Sequence, residues 1–219
     1  GDNELVVRVW DPTGADGSAR GKQKFESFAK PEGYWYTPCS GLWQTTWLEP
    51  VPARHIRALR VTPDFDAASL LITAEVDDPP DGAEVIVIAR DARGREAGRA
   101  RGAPGSTLVL GLAEPHPWSP DDPHLYDLAV TLSVDGKVVD DVKSYAGLRK
   151  VSLGQDEKGF TRILLNNQVL FQAGLLDQGY WPDGLYTPPT EAAMRKDLVL
   201  LKKLGFNLAR KHAKVEPAR

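Results

Sequence analysis

Five polar or aromatic side chains near the end of the chain have types and positions suited to binding a polar ligand. They are Asp177, Gln178, Trp181, Arg210 and His212. The first three follow a short segment of strand character at residues 170–173, and the other two come at or just after the end of a second such segment at residues 206–210. Carboxylate, amide, guanidinium and imidazole groups form hydrogen bonds, and an indole offers a flat apolar face. We therefore treat these residues as the candidate binding site.

The elements around these residues predict that the two groups lie together. Residues 170–173 and 206–210 have strand character, and a helix is predicted between them. Thr190 can cap its N-terminus, Met194 and Leu198 recur at helical spacing, and Gly205 supplies its end. A strand, helix and strand in this order make the two strands parallel, so their carboxyl ends meet at one edge. This unit is typical of the opening of a (β/α)₈ barrel.

The rest of the chain has the pattern of short antiparallel strands. About seven strands between residues 53 and 152 predict an immunoglobulin-like β-sandwich. Asp135-Gly136 is a two-residue hairpin signal between two such strands. Further strands are predicted at residues 5–10 and 42–48, whereas residues 90–101 are predicted to form a solvated hairpin loop. The predicted fold class is therefore mainly β.

Composition excludes several kinds of partner. The 219 residues carry 27 Lys and Arg against 30 Asp and Glu, without a dense basic block, so we expect no nucleic-acid partner. The longest apolar run, residues 85–89, is too short to cross a membrane. Cys39 is the single cysteine and the four histidines are scattered, so we expect neither a disulfide framework nor a metal, and nothing implies a cofactor.

Four motifs carry a resemblance to glycoside hydrolase family 2, which contains β-galactosidases, β-glucuronidases and β-mannosidases. SGLWQTTWLE at residues 40–49 resembles the last strand of that family's jelly-roll sugar-binding domain. WSPDDPHLY at residues 118–126 resembles a late strand of its immunoglobulin-like domain. GLRK at residues 147–150 is similar to the segment that leaves the immunoglobulin-like domain. LNNQVLF at residues 165–171 is similar to the segment that leads into the first barrel strand. Their order and spacing extend across nearly the whole chain.

The resemblance implies three domains in this chain. Residues 1–52 would be the C-terminal part of the jelly-roll domain, residues 53–152 the immunoglobulin-like sandwich, and residues 153–219 the start of the catalytic TIM barrel. The chain begins at Gly1 in a segment of strand character, so we expect it to be a piece of a longer protein. The compartment stays open, with a periplasmic or secreted location slightly favoured.

The resemblance also implies an activity. Family members cleave β-glycosidic bonds with retention, using two glutamates about 5 to 5.5 Å apart. Those glutamates belong to later barrel strands, so this chain would contain no catalytic residue and would be inactive alone. Asp177, Gln178, Trp181, Arg210 and His212 would bind the carbohydrate substrate. The spacing of Arg210 and His212 departs from the family's Arg-x-x-His, so the resemblance does not name the sugar.

Other interpretations stay open for these residues and for the whole chain. Arg210 could form a structural ion pair in the barrel mouth, and Trp181 before Pro182 could anchor a packed loop. The alternative function is a non-catalytic carbohydrate-binding or spacer module of a larger surface protein. An adhesion-type module would fit the sandwich but not the βαβ unit. The expected partner is a carbohydrate substrate bound by the complete enzyme, and a homodimer is possible.

Overall fold

The computed structural model describes residues 3–12, 17, 20–28, 30 and 32–216. Within these residues β-strands are the main regular structure, as the sequence predicts. The chain divides into two compact units. We call residues 49–171 the central unit, and residues 1–48 together with 172–219 the terminal unit.

The central unit contains a β-sandwich. Its seven strands are β1 (Ala58–Asp64), β2 (Ser69–Glu75), β3 (Ala83–Arg90), β4 (Glu96–Gly102), β5 (Leu108–Gly111), β6 (Tyr126–Val134) and β7 (Lys137–Ala146). One antiparallel sheet has the order β1-β2-β5 and the other has the order β4-β3-β6-β7. The buried faces of both sheets share one apolar core, which agrees with the predicted sandwich.

The core of the sandwich follows from strand alternation. In β6, buried and exposed positions alternate along most of the strand, so one face points into the core. Ile72 of the first sheet and Val87 and Val130 of the second are fully buried. Tyr126, at the start of β6, is 1% exposed, and its hydroxyl accepts a hydrogen bond from the His116 backbone N–H at 2.7 Å. This contact resembles the tyrosine corner of immunoglobulin-like sandwiches.

A third, smaller antiparallel sheet completes the central unit. It contains β8 (Val151–Gln155), β9 (Thr161–Leu165) and β10 (Gln168–Val169), in the order β10-β9-β8. Asp156 shapes the turn between β8 and β9, because its carboxylate accepts hydrogen bonds from the backbone of Lys158 and Phe160 and from the Arg162 side chain. These bonds, the one from Arg162 above all, lower the pKa of Asp156.

The terminal unit contains the predicted βαβ unit. Its elements are β11 (Gly174–Asp177), α1 (Glu191–Lys203) and β12 (Leu208–Lys211), and the two strands are parallel. The Thr190 hydroxyl accepts a hydrogen bond from the Ala193 N–H, so the predicted cap is confirmed. No helix in the described part of the chain is both long and apolar enough to span a membrane. One such unit does not by itself make a barrel.

Several predicted boundaries are wrong. Residues 5–10 and 42–48 form no strand, since the described part of the first 52 residues offers no partner strand to satisfy their backbone groups. The first parallel strand begins at Gly174 instead of residue 170. The predicted loop at 90–101 contains β4, an edge strand that directs Arg99 and Arg101 to solvent while Ala97 and Ala100 pack on the core.

Candidate functional site

The candidate site lies at the carboxyl edge of the parallel strands β11 and β12. The register of the pair places Leu176 opposite Arg210 and Asp177 opposite Lys211. Beyond the strands, the His212 backbone N–H donates a hydrogen bond to the Asp177 carbonyl at 2.8 Å. The parallel pairing therefore brings the two predicted groups of residues to one edge of the sheet.

Five residues at this edge form a closed circuit of polar contacts, which we call the ion-pair ring: Asp177, Gly179, Lys211, Lys214 and Glu216. The Asp177 carboxylate accepts from the Gly179 N–H at 2.8 Å and pairs with Lys211 Nζ at 2.5 Å. Lys211 also pairs with Glu216 Oε1 at 2.6 Å. Lys214 Nζ lies 3.3 Å from Glu216 Oε2 and forms an ion pair that lacks hydrogen-bond geometry. The same ammonium group donates a hydrogen bond to the Gly179 carbonyl at 2.8 Å. The loop after β11 is thus attached to the segment after β12.

Gly179 occupies a position in the ring that only glycine fits. Its φ angle is +69°, in the left-handed region. A Cβ atom there would lie 2.7 Å from Lys214 Cδ and 3.3 Å from both Lys211 Nζ and Glu216 Oε1. The absence of a side chain at residue 179 therefore lets both lysines approach the loop backbone.

Lys214 is the most enclosed charged group of the ring. Its side chain has no exposed surface, and its ammonium group lies 5.1 Å from the Tyr186 ring centroid and 6.0 Å from that of Trp43. An ammonium group in such surroundings needs a carboxylate, backbone carbonyl or aromatic face to replace water. Burial alone would lower the pKa of Lys211, but the Asp177 and Glu216 carboxylates outweigh burial and raise it.

Aromatic side chains pack beside the ring. Tyr180 stacks on Tyr36 with ring centroids 3.7 Å apart, and Trp43 lies 4.4 Å from Tyr186. The Thr187 hydroxyl donates to the Trp43 carbonyl at 3.0 Å, which further joins the loop to the N-terminal segment. Burial, reinforced by the neighbouring Tyr186, raises the pKa of Tyr180, so its phenol stays neutral near pH 7.

The predicted site residues differ in what they offer a ligand. The Asp177 carboxylate is held by Lys211 and Gly179. Gln178 Oε1 and Trp181 Nε1 are buried and have no hydrogen-bond partner among the described residues. His212 is half-buried and bonds to β11 through its backbone, whereas the side chain of Arg210 is exposed and forms no ion pair with any described residue. Arg210 therefore offers a ligand a charged side chain that is exposed and forms no ion pair with a described residue.

Sequence reasoning missed three members of the ring. Neither the types nor the spacing of Gly179, Lys214 and Glu216 matches a short functional motif, so the sequence predicts no role for them. A sequence signal did exist: Lys211, Lys214 and Glu216 place two cations and one anion within six residues after a predicted strand. Both ring carboxylates contact lysines, so the ring is suited to holding a loop in place. Among the described residues no cluster of three His, Cys, Asp or Glu side chains could hold a metal ion.

The part of the chain that contains the sandwich matches a known protein family. Residues 54–149 match the model of Glycosyl hydrolases family 2. A β-galactosidase from Aeromonas hydrophila is 28% identical over 231 aligned positions, which cover 96% of this chain and 20% of that protein. An exo-β-D-glucosaminidase from Amycolatopsis orientalis is 33% identical over 112 positions, covering 50% of this chain and 10% of that protein. The chain spans about a fifth of the length of the first curated relatives.

Comparison with solved structures supports the same fold. A β-glucuronidase from Ruminococcus gnavus, solved in complex with a C6-substituted uronic isofagomine, superimposes with a TM-score of 0.59 at 21% identity. The superposition covers 73% of this chain and 26% of that chain. The resemblance that the sequence motifs indicate is therefore confirmed, and residues 54–149 are similar to Glycosyl hydrolases family 2.

Proposed function

We propose that this chain is part of a hydrolase that cleaves β-linked glycosides with retention, and that the carboxyl edge of β11 and β12 contributes to its carbohydrate site. One observation carries the proposal: a chain with a family 2 sandwich continues into a parallel βαβ unit whose polar side chains gather at the carboxyl edge. Enzymes built on parallel barrels place their chemistry at this edge.

The proposed architecture continues β11, α1 and β12 into a (β/α)₈ barrel. In the described structure α1 has no buried residue, and every residue of β12 is exposed. Leu198 and Leu200 of the helix are 58% and 51% exposed. Further strands and helices of a barrel would cover this apolar surface. In this arrangement residues 1–52 belong to the jelly-roll domain, 53–152 to the sandwich and 153–219 to the barrel.

The proposed chemistry divides between this chain and later strands. Two glutamates on later strands would act as acid/base and nucleophile, about 5 to 5.5 Å apart. Arg210 and His212 would hydrogen-bond the sugar at the point of cleavage, where positive charge develops on the ring in the transition state. Gln178 and Trp181, in the loop beyond β11, would line the same site, and Asp177, the last residue of β11, would border it at the carboxyl edge. The proposal is limited to β-linked glycosides as a class, because the relatives' names refer to different sugars.

The test compares the complete reading frame that encodes this chain with the 219-residue chain alone. Both proteins are assayed with nitrophenyl β-galactoside, β-glucuronide, β-mannoside and β-glucosaminide. We expect the complete protein to hydrolyse at least one of them and the chain alone to match a buffer blank, since the chain would lack both glutamates. Proton NMR of the first product should show the β-anomer, as retention requires.

Two results would contradict this proposal. Initial release of the α-anomer would exclude a retaining mechanism. Carbohydrate binding by the complete protein without turnover of any of the four substrates would favour a non-catalytic carbohydrate-binding module.

A further inference from the structure

The ion-pair ring connects two loops that the strands alone leave unconnected. Asp177 is the last residue of β11 and Gly179 follows it, whereas Lys211 is the last residue of β12 and Lys214 and Glu216 follow it. The side chains of Asp177, Lys211 and Glu216 are 40%, 32% and 28% exposed, whereas that of Lys214 is fully buried. The ring thus extends from the surface of the site edge into the interior of the terminal unit.

Glu216 holds a central place in this ring. One of its carboxylate oxygens contacts Lys211, which pairs with the Asp177 side chain. The other contacts Lys214, which holds the Gly179 carbonyl. A single carboxylate therefore acts on both the side chain and the backbone of the loop that carries the predicted binding residues. No other described side chain forms an ion pair with Lys214.

We infer that Glu216 is a positioning residue for the carbohydrate site: through Lys211 it orients the Asp177 carboxylate, and through Lys214 it fixes the loop that carries Gln178 and Trp181. This inference rests on the proposed function for its effect on substrate. A neutral side chain at 216 would leave Lys211 bound to Asp177 alone and Lys214 without a carboxylate. The loop would then sample other positions, and substrate would bind less tightly.

The first test measures the loop directly and needs no substrate. Amide hydrogen exchange of residues 178–187 is compared in the 219-residue chain, in Glu216→Gln and in Glu157→Gln. Glu157 is an exposed carboxylate in the turn before β9 and forms no ion pair with a described residue, so its substitution is the matched control. We expect exchange in this segment to increase about tenfold in Glu216→Gln and to stay unchanged in Glu157→Gln. Equal exchange in all three proteins would overturn the inference.

The second test measures substrate binding in the complete protein. Glu216→Gln should raise KM about tenfold for the best nitrophenyl glycoside and leave kcat within about threefold, because the loop binds substrate without taking part in bond cleavage. In an Asp177→Asn background the same substitution should change KM much less, since both act through Lys211. A lower melting temperature with unchanged KM would show a purely structural role.

The two tests separate the inference from the proposed function. A complete protein without glycosidase activity would contradict the proposed function, and the exchange measurement would still decide whether Glu216 fixes the loop. Activity in the complete protein together with unchanged exchange and unchanged KM in Glu216→Gln would contradict the positioning role alone.

Discussion

Replacing Gly179 with alanine should destabilise the terminal unit more than the same substitution at a glycine whose surroundings leave room for a methyl group. Alanine at residue 179 meets two separate costs. The first is the left-handed backbone, with φ at +69°, which costs an L-residue about 1–2 kcal/mol. The second is the new methyl group, which would lie 2.7 Å from Cδ of the fully buried Lys214.

The second cost is large because Lys214 cannot move into solvent. Displacing it would break its hydrogen bond to the Gly179 carbonyl and its contact with Glu216. Overpacking at buried positions typically costs roughly 1–3 kcal/mol. The two costs together predict a loss of about 2–5 kcal/mol in the unfolding free energy of the terminal unit.

Gly205 provides the matched control for this prediction. It follows α1 in the same unit with φ at +86°, and a Cβ atom there would have no neighbour within 4 Å. Gly205→Ala should therefore cost only the backbone part, about 1–2 kcal/mol. The difference between the two losses of unfolding free energy measures the cost of placing a methyl group against the ring.

Tryptophan fluorescence during urea unfolding of the 219-residue chain measures the effect. Five of the six tryptophans lie in the terminal unit: Trp10, Trp35, Trp43, Trp47 and Trp181. The midpoint should fall furthest for Gly179→Ala and less for Gly205→Ala. If the two variants agree within about 0.5 kcal/mol, the usual range for independent small effects, the ring does not enclose residue 179 as described.

Three further predictions concern activity, pH and local stability. In the complete protein Arg210→Ala and His212→Ala should each lower kcat on the order of 10²-fold with little change in melting temperature; a variant that melts early with near-native kcat would show a structural role. Burial, followed by the charge of a neighbouring histidine, lowers the pKa of His124, so the folded state binds a proton less readily than the unfolded state. Sandwich stability should therefore decrease as pH falls below about 6.5, and His124→Gln should weaken this dependence in urea unfolding followed by circular dichroism. Limited proteolysis should leave residues 58–146 intact longest, because the buried apolar core of the described chain lies at residues 56–148; equal protection of the terminal unit, seen by mass spectrometry, would contradict this order.

The sequence was most informative where burial alternates along a strand. Residues 126–134 were predicted as a strand, and β6 has the same bounds, because inward and outward side chains alternate there and the following Asp135-Gly136 fixes the turn. The helix start at Thr190 was equally predictable, since a cap depends on residues three positions apart. Both signals are local.

The sequence was least informative where a strand or contact depends on distant partners. β4 was missed because Arg93, Arg95 and Arg99 suggested a solvated loop, whereas an edge strand can carry charged residues on its outer face. The ion-pair ring was missed because the two contacts that close it, Asp177 with Lys211 and Gly179 with Lys214, join residues more than thirty positions apart. Only the register of β11 against β12 brings these side chains together.

That register also decides which candidate residues can act together. Neighbouring residues of a strand point to opposite faces, so Arg210 and Lys211 lie on different sides of the small parallel sheet. The pairing of Asp177 with Lys211 places the ring on the face that Arg210 does not use. A shift of one residue would exchange the two and put in the ring an arginine, whose planar fork of donors contacts carboxylates in a different geometry from the compact ammonium group of a lysine. The strand β12 thus supplies two cations with different roles. Lys211 holds the loop in place, whereas Arg210 forms no ion pair with a described residue and can contact a ligand.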